Sequence, residues 1–152
     1  MGGFSIWHVL IVLLIPFFLA GFLPLIIKPS GPNRFGPSAQ PRNFPDAFLT
    51  CVRKYVDFQG RATRSEYWWF YLATVLISVV LDFVGGTRIG TGLGGLASLV
   101  LLLPSLAAGA RRLHDINRSG WWLLLMFSGF GAIGLIVLLA WPSQKNDAAN
   151  VF

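Results

Sequence analysis

Apolar and polar positions alternate along the chain in blocks: long stretches without a charged residue, divided by short polar segments. Residues 6–27 carry no Asp, Glu, Lys or Arg. At about 1.5 Å per residue such a stretch crosses a hydrocarbon core of about 30 Å, so it predicts a first transmembrane helix. Pro16 and Pro24 lie inside it and predict a kink or an early unwinding, because proline removes a helical hydrogen bond. The first basic residue, Lys28, follows the run, whereas a cleaved signal peptide carries basic residues ahead of its apolar stretch. The segment is therefore expected to be retained, with its N-terminus outside.

Residues 28–45 are rich in proline, glycine and small polar residues and read as a cytoplasmic linker. Beyond them Phe44, Phe48, Cys51, Val52 and Tyr55 recur at spacings of three and four, while Asp46, Thr50, Arg53, Lys54 and Asp57 take the other face. This pattern predicts a short cytoplasmic interfacial amphipathic helix, with packing on the protein's own loops as the alternative. Gly60 ends it, and the TRSE of residues 63–66 has the form of a capping box that opens a second helix over residues 67–81. Asp82, Arg88 and a cluster of glycines predict a short connection to a third helix over residues 93–110, interrupted at Pro104. Residues 111–120 (RRLHDINRSG) read as a polar turn, and residues 121–141 as a fourth helix before a short tail. The predicted organisation is an anchor (1–28), a linker (29–45), a helical membrane domain (46–142) and a tail (143–152).

Composition agrees with that pattern. Of 152 residues 55% are hydrophobic and 12% charged, against roughly 25% charged in a typical soluble domain. The mean hydropathy is +0.65. An all-α membrane protein of about four transmembrane helices plus the short amphipathic helix is expected. The formal net charge of +6 would suit nucleic acid, but the basic residues flank apolar runs, so no nucleic-acid partner is expected. Ten Lys and Arg fall in the first and third connections and two in the second connection and the tail, which predicts cytoplasmic arginine-rich loops and two periplasmic termini. Trp7, Trp68, Trp69, Trp121, Trp122 and Trp141 fall at the predicted span borders, where amphipathic rings favour the headgroup layer.

Two segments carry a family resemblance: FQGRATRSEYWWF at residues 58–70 and LPSLAAGARRLHDINRSGWW at residues 103–122. They resemble the bacterial inner-membrane family called Domain of Unknown Function 805, over roughly residues 47–141. The resemblance implies a multi-pass inner-membrane protein and assigns no activity. Chains of that family commonly close with a segment like PGxNRFGP; here the tail SQKNDAANVF lacks it, while GPNRFGP stands at residues 31–37. That displacement implies a partial duplication or an N-terminal fusion. Residues 1–15 (MGGFSIWHVLIVLLI) are similar to the N-terminal anchor of small twin-arginine translocase subunits, which implies a similar anchor and no translocase function.

The chemistry that the residues exclude is informative. Cys51 is the sole cysteine, so no internal disulfide and no cysteine metal cluster is expected, and no metal or cofactor ligand set is visible. The predicted spans carry no internal ionisable residue of the kind an ion path needs; His8 and Asp82 lie at their borders. A small transporter is therefore the third reading, kept open by the helix breaks at Pro16 and Pro104. Adjacent His114 and Asp115 rarely point at one another, and Ser105 and Ser119 have no partnered base, so no enzyme activity is expected.

What remains is a polar cluster: Arg61, Arg64 and Glu66 opening the second helix, and Arg111, Arg112, His114, Asp115 and Arg118 after the third. Either the acids pair with the arginines to lock the helices together, or the arginines cradle a phosphate-bearing lipid headgroup or an acidic partner. Ser105 with Gly109, and Ser128 with Ala132, are small-residue pairs that permit close helix approach, extended by Gly129, Gly131 and Gly134. The leading expectation is a non-catalytic membrane protein associating with other integral membrane subunits. The alternative is a module that binds anionic phospholipid or an acidic ligand through the arginine cluster.

Overall fold

A computed structural model of the chain describes residues 32–85 and 91–144. The predicted first helix over residues 6–27, with Trp7, and the glycine-rich connection at residues 86–90 lie outside the described residues. Among those described the secondary structure is helical, without strands: α1 (Phe44–Arg53), α2 (Arg64–Gly85), α3 (Thr91–Asp115), a 3-10 segment (Gly120–Phe127) and α4 (Gly129–Ala140). Two stretches, Arg64–Val84 and Gly94–Asp115, are long and apolar enough to cross a membrane.

α1 begins where the side chain of Asn43 accepts from the amide of Asp46, with Pro45 in the first turn, where its missing N–H costs nothing. The structure packs one face of this helix on α2 and α3, where the sequence reading offered loops. Ala47 and Cys51 are buried, Phe48 meets Phe70 at a ring separation of 5.9 Å, and Phe44 sets its edge against Trp69 at 5.7 Å. Cys51, Phe70 and Ala108 form one small core shared by α1, α2 and α3.

α2 and α3 are an antiparallel hairpin, as three rungs show. Asp82 closes on Gly94, where any Cβ would collide with the carboxylate; Phe70 meets Ala108; Glu66 pairs with Arg111. α2 starts at the predicted box, but only half of the box forms. Thr63 Oγ1 accepts from the Glu66 amide at 3.3 Å, while the Glu66 carboxylate turns away to arginine.

α3 corrects the reading of residues 93–115 in two ways. The helix runs unbroken through Pro104, and it continues to Asp115, so Arg111, Arg112, His114 and Asp115 occupy its last turns instead of a loop. Pro104 lacks the amide that would have bonded the Val100 carbonyl, and the Tyr55 hydroxyl donates to that carbonyl in its place. The true end is a Schellman turn: Asn117 is left-handed at φ 60°, its amide bonds the His114 carbonyl and the Arg118 amide bonds the Leu113 carbonyl.

The predicted fourth helix is the largest departure. Residues 120–140 form two short pieces that turn at Ser128, whose backbone is extended and whose hydroxyl and amide both bond the Leu125 carbonyl. Glycines at 129 and 131 weaken helix propagation just there. The 3-10 piece starts against α3, where a Cβ on Gly120 would stand 2.9 Å from that of Ala110, and a Cβ on Gly109 3.0 Å from Leu123. The α4 piece comes back to the same end, where Arg112 Nε donates to the Leu139 carbonyl at 2.9 Å. At about 2.0 and 1.5 Å per residue the two pieces extend roughly 16 and 18 Å, about half of a bilayer core. The segment is thus a helical hairpin that returns to the end it left, held by Leu113, Ile116, Leu135, Leu138 and Leu139 with Tyr67 and Trp122 packed against them.

The small residues divide accordingly. Gly109 does provide a close approach, but to Leu123; Ser105 bonds back to Leu101 in its own helix; Gly131 makes room for Ser128 and Leu125; and Gly134 is buried, Ala132 half-buried and Gly129 open.

Candidate functional site

The C-terminal end of α3 gathers five of the eight predicted polar residues into two ion clusters. In one, Glu66 Oε1 lies 2.9 Å from Arg111 Nη1 and Oε2 lies 3.3 Å from Arg42 Nε. The Cys51 thiol sits beside it, 3.9 Å from Glu66 Oε1 and 3.8 Å from Arg111 Nη2. In the other, Asp115 bridges Arg61 and Arg112, each at 2.8 Å. Arg111 and Arg112 are 0% exposed. Burial of such charges is costly unless each is paired and fully hydrogen-bonded, and here both conditions are met.

Four arginines face two carboxylates, and backbone carbonyls take up the surplus. Arg112 donates to the carbonyls of Leu139 and Trp141 at the end of α4, where the helix dipole is negative. Arg61 donates to the carbonyls of Gly36, Asp115 and Gln144. Near the end of α3 the Arg111 carbonyl also accepts from the Ala62 amide, and the Asp115 carbonyl, which has no helical donor, is satisfied by the Gln144 amide, Arg61 and Asn33. His114, half-buried, points its Nδ1 at the Gly60 carbonyl at 3.1 Å. The arrangement locks the linker, α2, α3 and α4 together at one end. Among the described residues, Arg61, Arg111 and Arg112 are thus engaged with protein groups.

Arg64 and Arg118 stand apart from the two clusters. Arg118 lies over the Trp122 ring at 5.9 Å. Arg64 is exposed and, with Ser65, Trp68, Trp69, Leu72 and Ala140, lines a groove of about 550 Å³. Among the predicted interfacial tryptophans Trp69 and Trp121 are exposed, Trp121 by 78%, and Trp68, Trp122 and Trp141 are half-buried. Burial first, and then the charge of Glu66, push the Cys51 thiol up to about 11. Among the described residues no three His, Cys, Asp or Glu side chains come together as a metal site.

Sequence reasoning missed Arg42, Cys51 and Asn33 as members of the network. Arg42 and Asn33 stand in a segment without periodicity, and Cys51 was read only as part of an apolar stripe. The one legible signal was the NRFGP string itself.

Comparison with known proteins places these elements in context. The family described as Protein of unknown function (DUF805) matches residues 55–149. The chain is 42% identical over 106 residues to the Escherichia coli (strain K12) protein named Inner membrane protein YhaI, covering 68% of this chain and 87% of that one. It is 36% identical over 110 residues to Inner membrane protein YhaH of the same organism, covering 66% and 87%. No solved structure matches. The likeness of residues 1–15 to a translocase anchor finds no support in these matches, and those residues lie outside the described ones.

Proposed function

The chain belongs to the family described as Protein of unknown function (DUF805), and from that premise we propose that it is a non-catalytic integral membrane protein serving as an accessory or structural subunit of a larger membrane assembly. One contrast carries the reading. The ionisable groups gathered at the end of α3 are engaged with one another and with backbone carbonyls, while the outward faces of the hairpin are uncovered apolar side chains: Val79, Val80 and Phe83 on α2, Leu96 and Leu99 on α3, with Phe83 88% exposed. Lipid or neighbouring helices would cover such faces, and large uncovered apolar surface marks a membrane or partner contact.

The inner-membrane names of both relatives support the bacterial inner membrane as the location. The arginine-rich end is proposed to face the cytoplasm, with residues 6–27 as a span that enters from outside. Because residues 120–140 return to the end they left, Gln144 belongs to the cytoplasmic side in this proposal, unlike the periplasmic C-terminus read from a crossing fourth helix. Extraction from the native membrane at native expression in a mild detergent, with mass spectrometry of stoichiometric companions, tests the subunit role. A reproducible large partner is the expected result, and a protein that runs alone would overturn it.

The groove at Arg64 favours a second reading, an anionic-lipid site. A phosphate would meet exposed Arg64 beside Ser65, and an acyl chain would lie along Trp68, Trp69 and Leu72. Co-purified anionic phospholipid that is lost in Arg64→Ala, with helicity unchanged, is its expected signature; equal retention would remove it.

A further inference from the structure

Residues 33–38 have no regular secondary structure and precede the family match, yet they are pinned to α3 across more than eighty positions of sequence. Asn33 is buried at 7% exposure. Its Nδ2 donates to the His114 carbonyl at 2.8 Å and the Asp115 carbonyl at 3.3 Å, two acceptors that the end of α3 leaves without helical donors. Its Oδ1 meanwhile accepts from the Phe35 amide at 2.9 Å, which sets the local turn. Phe35 then lies flat on the His114 ring, with centroids 3.9 Å apart and planes 4° from parallel. The Arg34 amide reaches Asn117 Oδ1 at 3.4 Å. Gly36, at φ 101°, turns its carbonyl to Arg61 at 3.3 Å, and Ser38 Oγ stands 3.5 Å from the same guanidinium.

These contacts have the form of peptide recognition. The first position needs a donor and an acceptor on one short stem, which asparagine has; aspartate loses the donors and glutamine places them a carbon further out. The third needs a flat ring to stack on imidazole. The fourth needs a left-handed backbone, which glycine adopts without strain. The second contributes its backbone amide to the docking, and its guanidinium lies 5.0 Å from the Phe35 ring on an exposed side chain.

We propose that Gly60, Arg61, His114, Asp115 and Asn117 form a docking site that reads an Asn-x-Phe-Gly segment, filled by the chain's own residues 33–36, and that this docking keeps residues 1–38 attached to the helical core independently of the chain connection. The site is a clasp between the N-terminal portion of the protein and the family domain.

A protease sequence inserted between Ala39 and Gln40 of the full chain, tagged at the C-terminus and purified in mild detergent, tests the clasp. After cutting, the released N-terminal fragment is expected to stay with the tagged core through washing. Asn33→Asp, which keeps the acceptor and removes the donors, and Phe35→Leu, which keeps bulk and removes stacking, are expected to retain about tenfold less fragment. Arg34→Ala is expected to retain it as the unmutated chain does. Continued shielding of the Cys51 thiol reports in every variant that the core is folded. Loss of the fragment from the unmutated chain on cutting, or equal retention by all variants, would overturn the proposal.

Discussion

Arg112, three residues before its partner Asp115 on α3, also donates to the Leu139 carbonyl at 2.9 Å, so the last apolar segment ends beside the helix turn from which it departed. A crossing helix would carry Leu139 to the far side of the bilayer. This bond, with that from the Gln144 amide to the Asp115 carbonyl, favours the returning segment proposed above over a spanning one.

Cysteine labelling in membrane vesicles reads that decision directly. Ser143→Cys and Gln59→Cys are expected to react with an impermeant thiol reagent from the same side, and Val84→Cys, at the far end of α2, from the other. Ser143→Cys labelling together with Val84→Cys would restore a spanning fourth helix.

Removing Arg111 leaves Glu66 buried with Arg42 alone and strands the carboxylate from its closer partner. Loss of one member of a buried pair costs about 3–5 kcal/mol. Arg111→Ala, and more so Arg111→Ala with Arg112→Ala, should lower the folded yield in detergent and the midpoint of thermal unfolding. Normal yield and melting in the double variant would show that the network does not hold the helices together.

The bond from Tyr55 to the Val100 carbonyl compensates for an amide that Pro104 lacks. Tyr55→Phe should cost about 1 kcal/mol of stability. In a Pro104→Ala background, where the helix supplies its own donor, the same substitution should cost much less, and a double-mutant cycle measured by thermal unfolding isolates the coupling.

Gly109 faces Leu123 where an added methyl would stand 3.0 Å from the Leu123 side chain. Gly109→Leu should push the 3-10 segment off α3 and destabilise the protein by about 1–3 kcal/mol. Shortening the neighbour by Leu123→Ala should recover part of that loss in the same melting experiment.

Cys51 is expected to resist alkylation at pH 8 in the folded protein and to react readily once it is unfolded, because burial and Glu66 hold the thiol protonated up to about 11 against an ordinary value of 9.0. Between those two values the unfolded chain gives up the proton while the folded one keeps it. Stability should therefore fall as pH rises through that window, and Cys51→Ala should flatten the alkaline limb.

Much of this protein was legible in its residues taken in order. The charge-free runs of residues 67–81 and 93–110 predict two apolar helices, because the thickness of a bilayer sets a length that such runs either reach or miss. The spacing of Phe48, Cys51 and Tyr55 predicts α1, and the residues at 63–66 predict the start of α2 through Thr63. The polar cluster was likewise visible as a list of residue types. Other features depended on contacts between distant positions, to which one-dimensional pattern is blind. A hydrophobic run of twenty-odd residues has the same composition whether it crosses or turns, and the bonds from Arg112 to the Leu139 carbonyl and from the Gln144 amide to the Asp115 carbonyl are what favour a turn. Pro104 looks like a break until Tyr55 supplies the missing donor. Arg111 and Arg112 look like loop residues until Glu66 and Asp115 make their burial affordable. Asn33 looks like linker until the His114 and Asp115 carbonyls at the end of α3 give it acceptors. In each case local propensity sets what a segment prefers alone, and a partner brought close by folding supplies the free energy that overrides it.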